Sequence, residues 1–145
     1  MKLLCDSNVL IALAVEQHVH HPVAARWFQT IAPTDQILLC RAVELSFLRL
    51  LTLKIAPDYH PATNSEAIDV LRRLQADEAV SPIAEPPELQ ARWPQLANRD
   101  TASPKVWMDS YLAAFALAAD LRLVTFDHDF AAYRSHGLDL LLLSA

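Results

Sequence analysis

An α/β protein, with a central parallel sheet held between two layers of helices, is what this sequence predicts. Two observations lead there. Short apolar runs alternate along the chain with segments of helical periodicity, and the apolar runs are continuous instead of alternating with polar residues. Strands that are apolar on both faces belong to a parallel sheet covered on both sides, which makes a three-layer α/β/α sandwich. A third observation limits what such a sheet can hold. Gly137 is the only glycine, so no glycine-rich phosphate loop can be built, and dinucleotide and nucleoside-triphosphate cofactors are disfavoured.

Taken in order, Met1 to Cys5 is a first buried strand that stops at Asp6. Apolar character resumes from Val9 to Val15 as a helix, with Asp6 to Asn8 supplying its cap. His18 to Pro22 reads as a solvated loop, and Pro22 opens a helix running to about Ile31. Ile37 to Cys40 is a second strand, and Val43 to Thr52 a helix with Val43, Phe47, Leu48, Leu50 and Leu51 at helical spacing. Thr63-Asn64-Ser65-Glu66 has the form of a capping box, opening a helix through Leu74 with Ile68, Leu71 and Leu74 inward. Ala79 to Ala84 is a short strand interrupted by Pro82. Pro86-Pro87-Glu88 starts a helix disturbed at Pro94, and Ser103-Pro104 caps a long helix to about Asp120, apolar nearly all round and expected to be buried. Leu121 to Phe126 is a strand ending at Asp127, and Leu138 to Leu143 is the last. Trp27 and Trp107 are expected in the core, while Trp93, beside Pro94, suits either core or surface.

The 145 residues fit a single domain, 1–145, able to bury roughly two-thirds of its unfolded surface. No apolar run approaches the roughly 20 residues of a membrane span, and Asp6 comes too early for a secretory leader, so a cytoplasmic protein is expected. Cys5 and Cys40 each close an apolar run and read as reduced core residues; two cysteines so far apart form no zinc pattern. The net charge of −5, with twelve basic residues scattered among seventeen acids, offers no basic patch for a nucleic-acid backbone. It still permits nucleic-acid cleavage where bound cations neutralise the acids, and it suits a basic protein partner.

Most acids have an ordinary surface explanation, such as Asp69 between Glu66 and Arg72-Arg73 on one helix face. Four do not. Glu44 and Asp109 each carry apolar residues at offsets of three, four and seven, so each lies on the apolar stripe of its own helix, and Asp6 and Asp127 each follow a buried strand. In a parallel sheet such strand ends line the ligand crevice. One explanation is local: Arg41 pairs with Glu44, Lys105 pairs with Asp109, and the two strand-end aspartates cap helices. The other is convergence, four carboxylates gathered for a hard divalent cation such as Mg²⁺ or Mn²⁺, which suits phosphoryl chemistry.

Four segments bear on that choice: Leu4-Cys5-Asp6-Ser7-Asn8-Val9-Leu10, Val43-Glu44-Leu45-Ser46-Phe47-Leu48-Arg49-Leu50-Leu51, Met108-Asp109-Ser110-Tyr111-Leu112-Ala113-Ala114 and Leu123-Val124-Thr125-Phe126-Asp127-His128-Asp129-Phe130. In this order they resemble the motifs of PIN-domain ribonucleases, and among these the VapC toxins of toxin–antitoxin pairs. The resemblance spans nearly the whole chain and implies a PIN-like fold with a central parallel sheet. It implies an acidic quartet of Asp6, Glu44, Asp109 and Asp127 that hydrolyses RNA by metal-activated water, with Mg²⁺ or Mn²⁺ as cofactor. Asp6, Asp109 and Asp127 would ligate the metal, and Glu44 would hold a second metal or orient the water. Asp129 would be an outer acid, or else a cap of the turn that follows it. Ser7, Asn8 and Thr125 would orient Asp6 and Asp127. The resemblance further implies an antitoxin partner and a homodimer. Two other functions are weighed against this one. A non-catalytic module could keep the same fold, and a phosphotransfer or phosphatase domain could use Asp6 as nucleophile, although Ser7 and Asn8 stand where such sites want further acids.

Overall fold

The computed structural model describes residues 1–144. Five parallel strands form one sheet: β1 (Lys2–Cys5), β2 (Gln36–Leu39), β3 (Val80–Pro82), β4 (Arg122–Thr125) and β5 (Leu140–Leu142), in the order β3-β2-β1-β4-β5. The helices between them are α1 (Ser7–Ala14), α2 (His21–Phe28), α3 (Arg41–Leu51), α4 (Asn64–Gln75), α5 (Leu89–Ala97) and α6 (Val106–Ala119), and a 3-10 helix at His128–His136 precedes β5. This is the α/β fold that the continuous apolar strands predict. None of the helices is long and apolar enough to cross a membrane.

β1, at the centre, pairs Leu4 with Leu38 on one side and with Leu123 on the other. Leu4, Cys5, Leu123 and Val124 have no exposed surface at all. Burying each leucine completely is worth about 1.5–3 kcal/mol relative to exposure. After β1 the chain builds outward through β2 and β3, then returns to start β4 on the opposite side. The carboxyl ends of β1 and β4 therefore flank the point where the winding reverses, and there the sheet leaves a crevice.

Several local expectations need correction. Asp6 stands at the N-cap position of α1, but its side chain makes no capping bond. Ser103 does not cap α6: its hydroxyl lies 3.0 Å from that of Thr101, Pro104 and Lys105 form a turn, and the helix begins at Val106. The box at Thr63 and Glu66 is present with both bonds, but α4 turns Ala67 and Leu71 inward. Ile68 is instead exposed, over a groove with Leu48, Arg49 and Thr52. The small Ala67 side chain permits close helix packing that a turned-in isoleucine would obstruct. α5 starts at Leu89 and continues through Pro94 to Ala97. Trp107 is 61% exposed, because the apolar circumference of α6 is covered only from Ser110 onward. The histidine loop is half-buried, with His20 stacked on Phe126 at 4.5 Å and His21 Nδ1 2.7 Å from the Ala12 carbonyl oxygen.

Candidate metal centre

The crevice between β1 and β4 is where acids meet. Asp6 emerges from β1 with its amide donating to the Val124 carbonyl at 2.9 Å, which fixes its backbone to β4. Its carboxylate accepts from the Thr125 hydroxyl at 2.9 Å and from the Ser7 hydroxyl at 3.4 Å. Burial raises the Asp6 carboxyl above its ordinary value, and these two hydroxyls hold it back.

Thr125 is fully buried and links the two strand ends. Its hydroxyl donates to Asp6 and accepts from the Asp127 amide at 3.0 Å and the Asn8 side-chain amide at 3.2 Å. Asn8 in turn accepts from the Phe126 amide at 3.3 Å. Ser7, Asn8 and Thr125 thus form one network around Asp6. Ser46 of α3 joins it, its hydroxyl 3.0 Å from that of Ser7. Nothing in the sequence marks Ser46; it is found only because α3 packs beside α1.

Across the crevice, one carboxylate oxygen from each of Asp109, Asp127 and Asp129 lies within 4.8 Å of the others. Asp109 projects from the first turn of α6. Desolvation pushes its carboxyl up to about 6; Lys105 opposes this, while Asp127, Asp6 and Asp129 reinforce it. Asp127 caps the 3-10 helix, its Oδ1 accepting from the Asp129 amide at 2.9 Å. Partial desolvation works to raise Asp127, but the Lys105 ammonium and the Asp129 amide hold it below the ordinary carboxylate value. Asp129 is exposed, and its carboxylate joins the group instead of capping a turn.

Lys105 sits among these three acids. Its Nζ is 2.6 Å from Asp129 Oδ2, 2.7 Å from Asp127 Oδ2 and 3.7 Å from Asp109 Oδ2. The spacing in sequence indicates only the weakest of these contacts, the one to Asp109.

Glu44 is not drawn into this group. Its buried carboxylate accepts from the Gln75 side-chain amide at 2.6 Å and pairs with Arg41 at 3.7 Å. It lines a recess of about 240 Å³ with Leu39, Val80 and Ser81, beside β2 and β3. The contacts of Glu44 include the local Arg41 pair that the sequence also offered. Its helical spacing reports burial but not which flank of α3 it faces.

The donor set fits a hard divalent cation. Such ions take carboxylate oxygens, and three are already gathered around a cationic group, with Asp6 felt electrostatically by Asp109. The half-buried histidines are not in this set; among the described residues, the three aspartates are the only such grouping.

Comparison with known proteins gives the family and the fold. The PIN domain family model matches residues 3–135. Ribonuclease VapC41 of Mycobacterium tuberculosis is 44% identical, over 98% of this chain and 99% of that protein. Among solved structures, VapBC2 from Rickettsia felis, determined with a DNA fragment from its promoter, superposes with a TM-score of 0.69 at 13% identity, covering 99% of this chain and 100% of that one. VapC20 of Mycobacterium tuberculosis, a Sarcin-Ricin loop cleaving toxin, gives a TM-score of 0.66 at 19% identity, covering 90% and 93%. At these identities the two structures establish the fold.

Proposed function

The chain belongs to the PIN-domain family, in its branch of VapC ribonuclease toxins, and we propose that it is a single-domain endoribonuclease that hydrolyses RNA phosphodiester bonds with Mg²⁺ or Mn²⁺. One observation carries the mechanism: Asp109, Asp127 and Asp129 meet beside Asp6 where the sheet reverses its winding. Asp6, Asp109 and Asp127 would hold the cation, with Asp129 at the open rim. When bound, a divalent cation lowers the pKa of water and neutralises charge on the attacked phosphate.

The chain's own residues supply positioning. Thr125, Ser7 and Asn8 fix Asp6, Ser46 steadies Ser7, and the Asp129 amide turns Asp127 so that Oδ2 faces inward. A nucleophilic Asp6 is disfavoured, because Ser7 and Asn8 stand where such sites want further acids. Glu44 we read as structural, neutralising Arg41 and tying α3 to α4 through Gln75.

Two partners complete the reading. VapC relatives occur in VapBC pairs, and a cognate antitoxin segment suits the apolar groove of about 410 Å³ lined by Leu10, Leu13, Phe28, Phe47, Val70 and Leu74. A second copy suits the face where Leu45, Trp107 and Met108 are exposed together. Purified protein incubated with total RNA tests the activity. Cleavage in Mg²⁺ or Mn²⁺ that stops with EDTA is expected, and mapped ends identify the target. Cleavage unaffected by EDTA contradicts the mechanism.

A further inference from the structure

Lys105 is placed unlike an ordinary surface lysine. Its nearest acids are Asp127 and Asp129, 22 and 24 residues away, and not Asp109 in the helix that follows it. The side chain is 59% exposed, and its backbone lies in the turn before α6, so the stem is free to move into water.

The oxygens it holds are the ones that matter. Asp127 Oδ1 is occupied by the Asp129 amide, leaving Oδ2 to face the crevice, and Lys105 Nζ sits on that Oδ2 at 2.7 Å. It also takes Asp129 Oδ2 at 2.6 Å and leans on Asp109 Oδ2 at 3.7 Å. An ammonium and a divalent cation repel each other and compete for these oxygens, so a cation placed among them works against the lysine that already neutralises them.

We propose that Lys105 is a tethered counter-ion that competes with the divalent cation for Asp109, Asp127 and Asp129. It keeps the metal-free site compact and sets the metal concentration at which the nuclease becomes competent. The swing of Lys105 out of the cluster accompanies loading. This rests on the metal-centre reading above and adds a residue that tunes it.

The test is calorimetric titration of Mn²⁺ into the full chain as wild type, Lys105→Met and Lys105→Arg, with melting curves for each. Since Lys105 is largely exposed, both variants are expected to fold. Lys105→Met is expected to bind Mn²⁺ about tenfold more tightly, the scale of one lost ion-pair network. Lys105→Arg, which keeps the charge, stays within about threefold of wild type. Without metal the methionine variant melts below wild type, and saturating Mn²⁺ closes the gap. Equal or weaker Mn²⁺ binding by Lys105→Met overturns the role of Lys105 while leaving the metal centre standing. No Mn²⁺ binding by any of the three folded proteins overturns the metal centre and this proposal together.

Discussion

Thr125 has one hydroxyl proton and gives it to Asp6, while its oxygen receives the amides of Asp127 and Asn8. A valine of the same shape would fill the space and leave all three partners without it. Thr125→Val is therefore expected to cost about 1–3 kcal/mol of stability, as buried polar groups lose their partner. RNA cleavage should fall by about 10–100-fold, as for other groups that orient metal ligands. Urea unfolding and a cleavage assay check the two effects separately. Asp109 works in the opposite sense. Its folded carboxyl is raised to about 6 from an ordinary 3.8, so the folded, metal-free chain binds this proton more tightly than the unfolded chain. Stability from this group is thus present at low pH and lost as pH rises from about 4 to about 6. Asp109→Asn should stabilise the metal-free protein at pH 7 by about 1 kcal/mol after allowance for solvent screening, with no gain near pH 4. Melting curves across that range measure it.

The two strand-end acids were legible at the level of elements, because a continuous apolar run that stops at a carboxylate fixes both the strand and its exit. β1 delivers Asp6 and β4 delivers Asp127 on neighbouring strands, as that pattern requires. Helices were less transparent. In α3 the offsets to Phe47, Leu48 and Leu51 establish that Glu44 is buried, yet the flank it faces depends on α4 and Gln75, far away in sequence. Two residues later Ser46 reaches the site without any apolar or charged pattern to announce it. Lys105 shows the same limit, since the contacts that define it are long-range. The one glycine marks another element boundary. Gly137 ends the 3-10 helix with φ at +93° and turns the chain toward β5. The space around it is open, the nearest atom to an added Cβ being Leu117 Cδ2 at 4.0 Å. Gly137→Ala is therefore expected to lose about 1–2 kcal/mol through backbone strain alone, read as a lower urea midpoint with an unchanged slope.

At the scale of the whole molecule, the sheet order brings together acids that lie more than a hundred residues apart in sequence. The chain carries a net charge of −5, and three of its aspartates, Asp109, Asp127 and Asp129, gather in one place. On the proposed function, an acidic protein can act on a polyanionic substrate because a cation held by these acids would attract the reacting phosphate, with no basic surface needed. Leu45, Trp107 and Met108 are exposed together on one apolar face, and a second apolar groove lies between α1, α2, α3 and α4. The central claim is that the crevice aspartates, and not Glu44, perform the chemistry. Single-turnover RNA cleavage in Mn²⁺, compared for wild type, Asp109→Asn and Glu44→Gln, tests it most directly. The expected result is a loss of more than about 100-fold, roughly 3 kcal/mol of barrier, for Asp109→Asn, with Glu44→Gln within about threefold of wild type. Wild-type cleavage by Asp109→Asn, or a loss in Glu44→Gln as large as the one expected of Asp109→Asn, would contradict it.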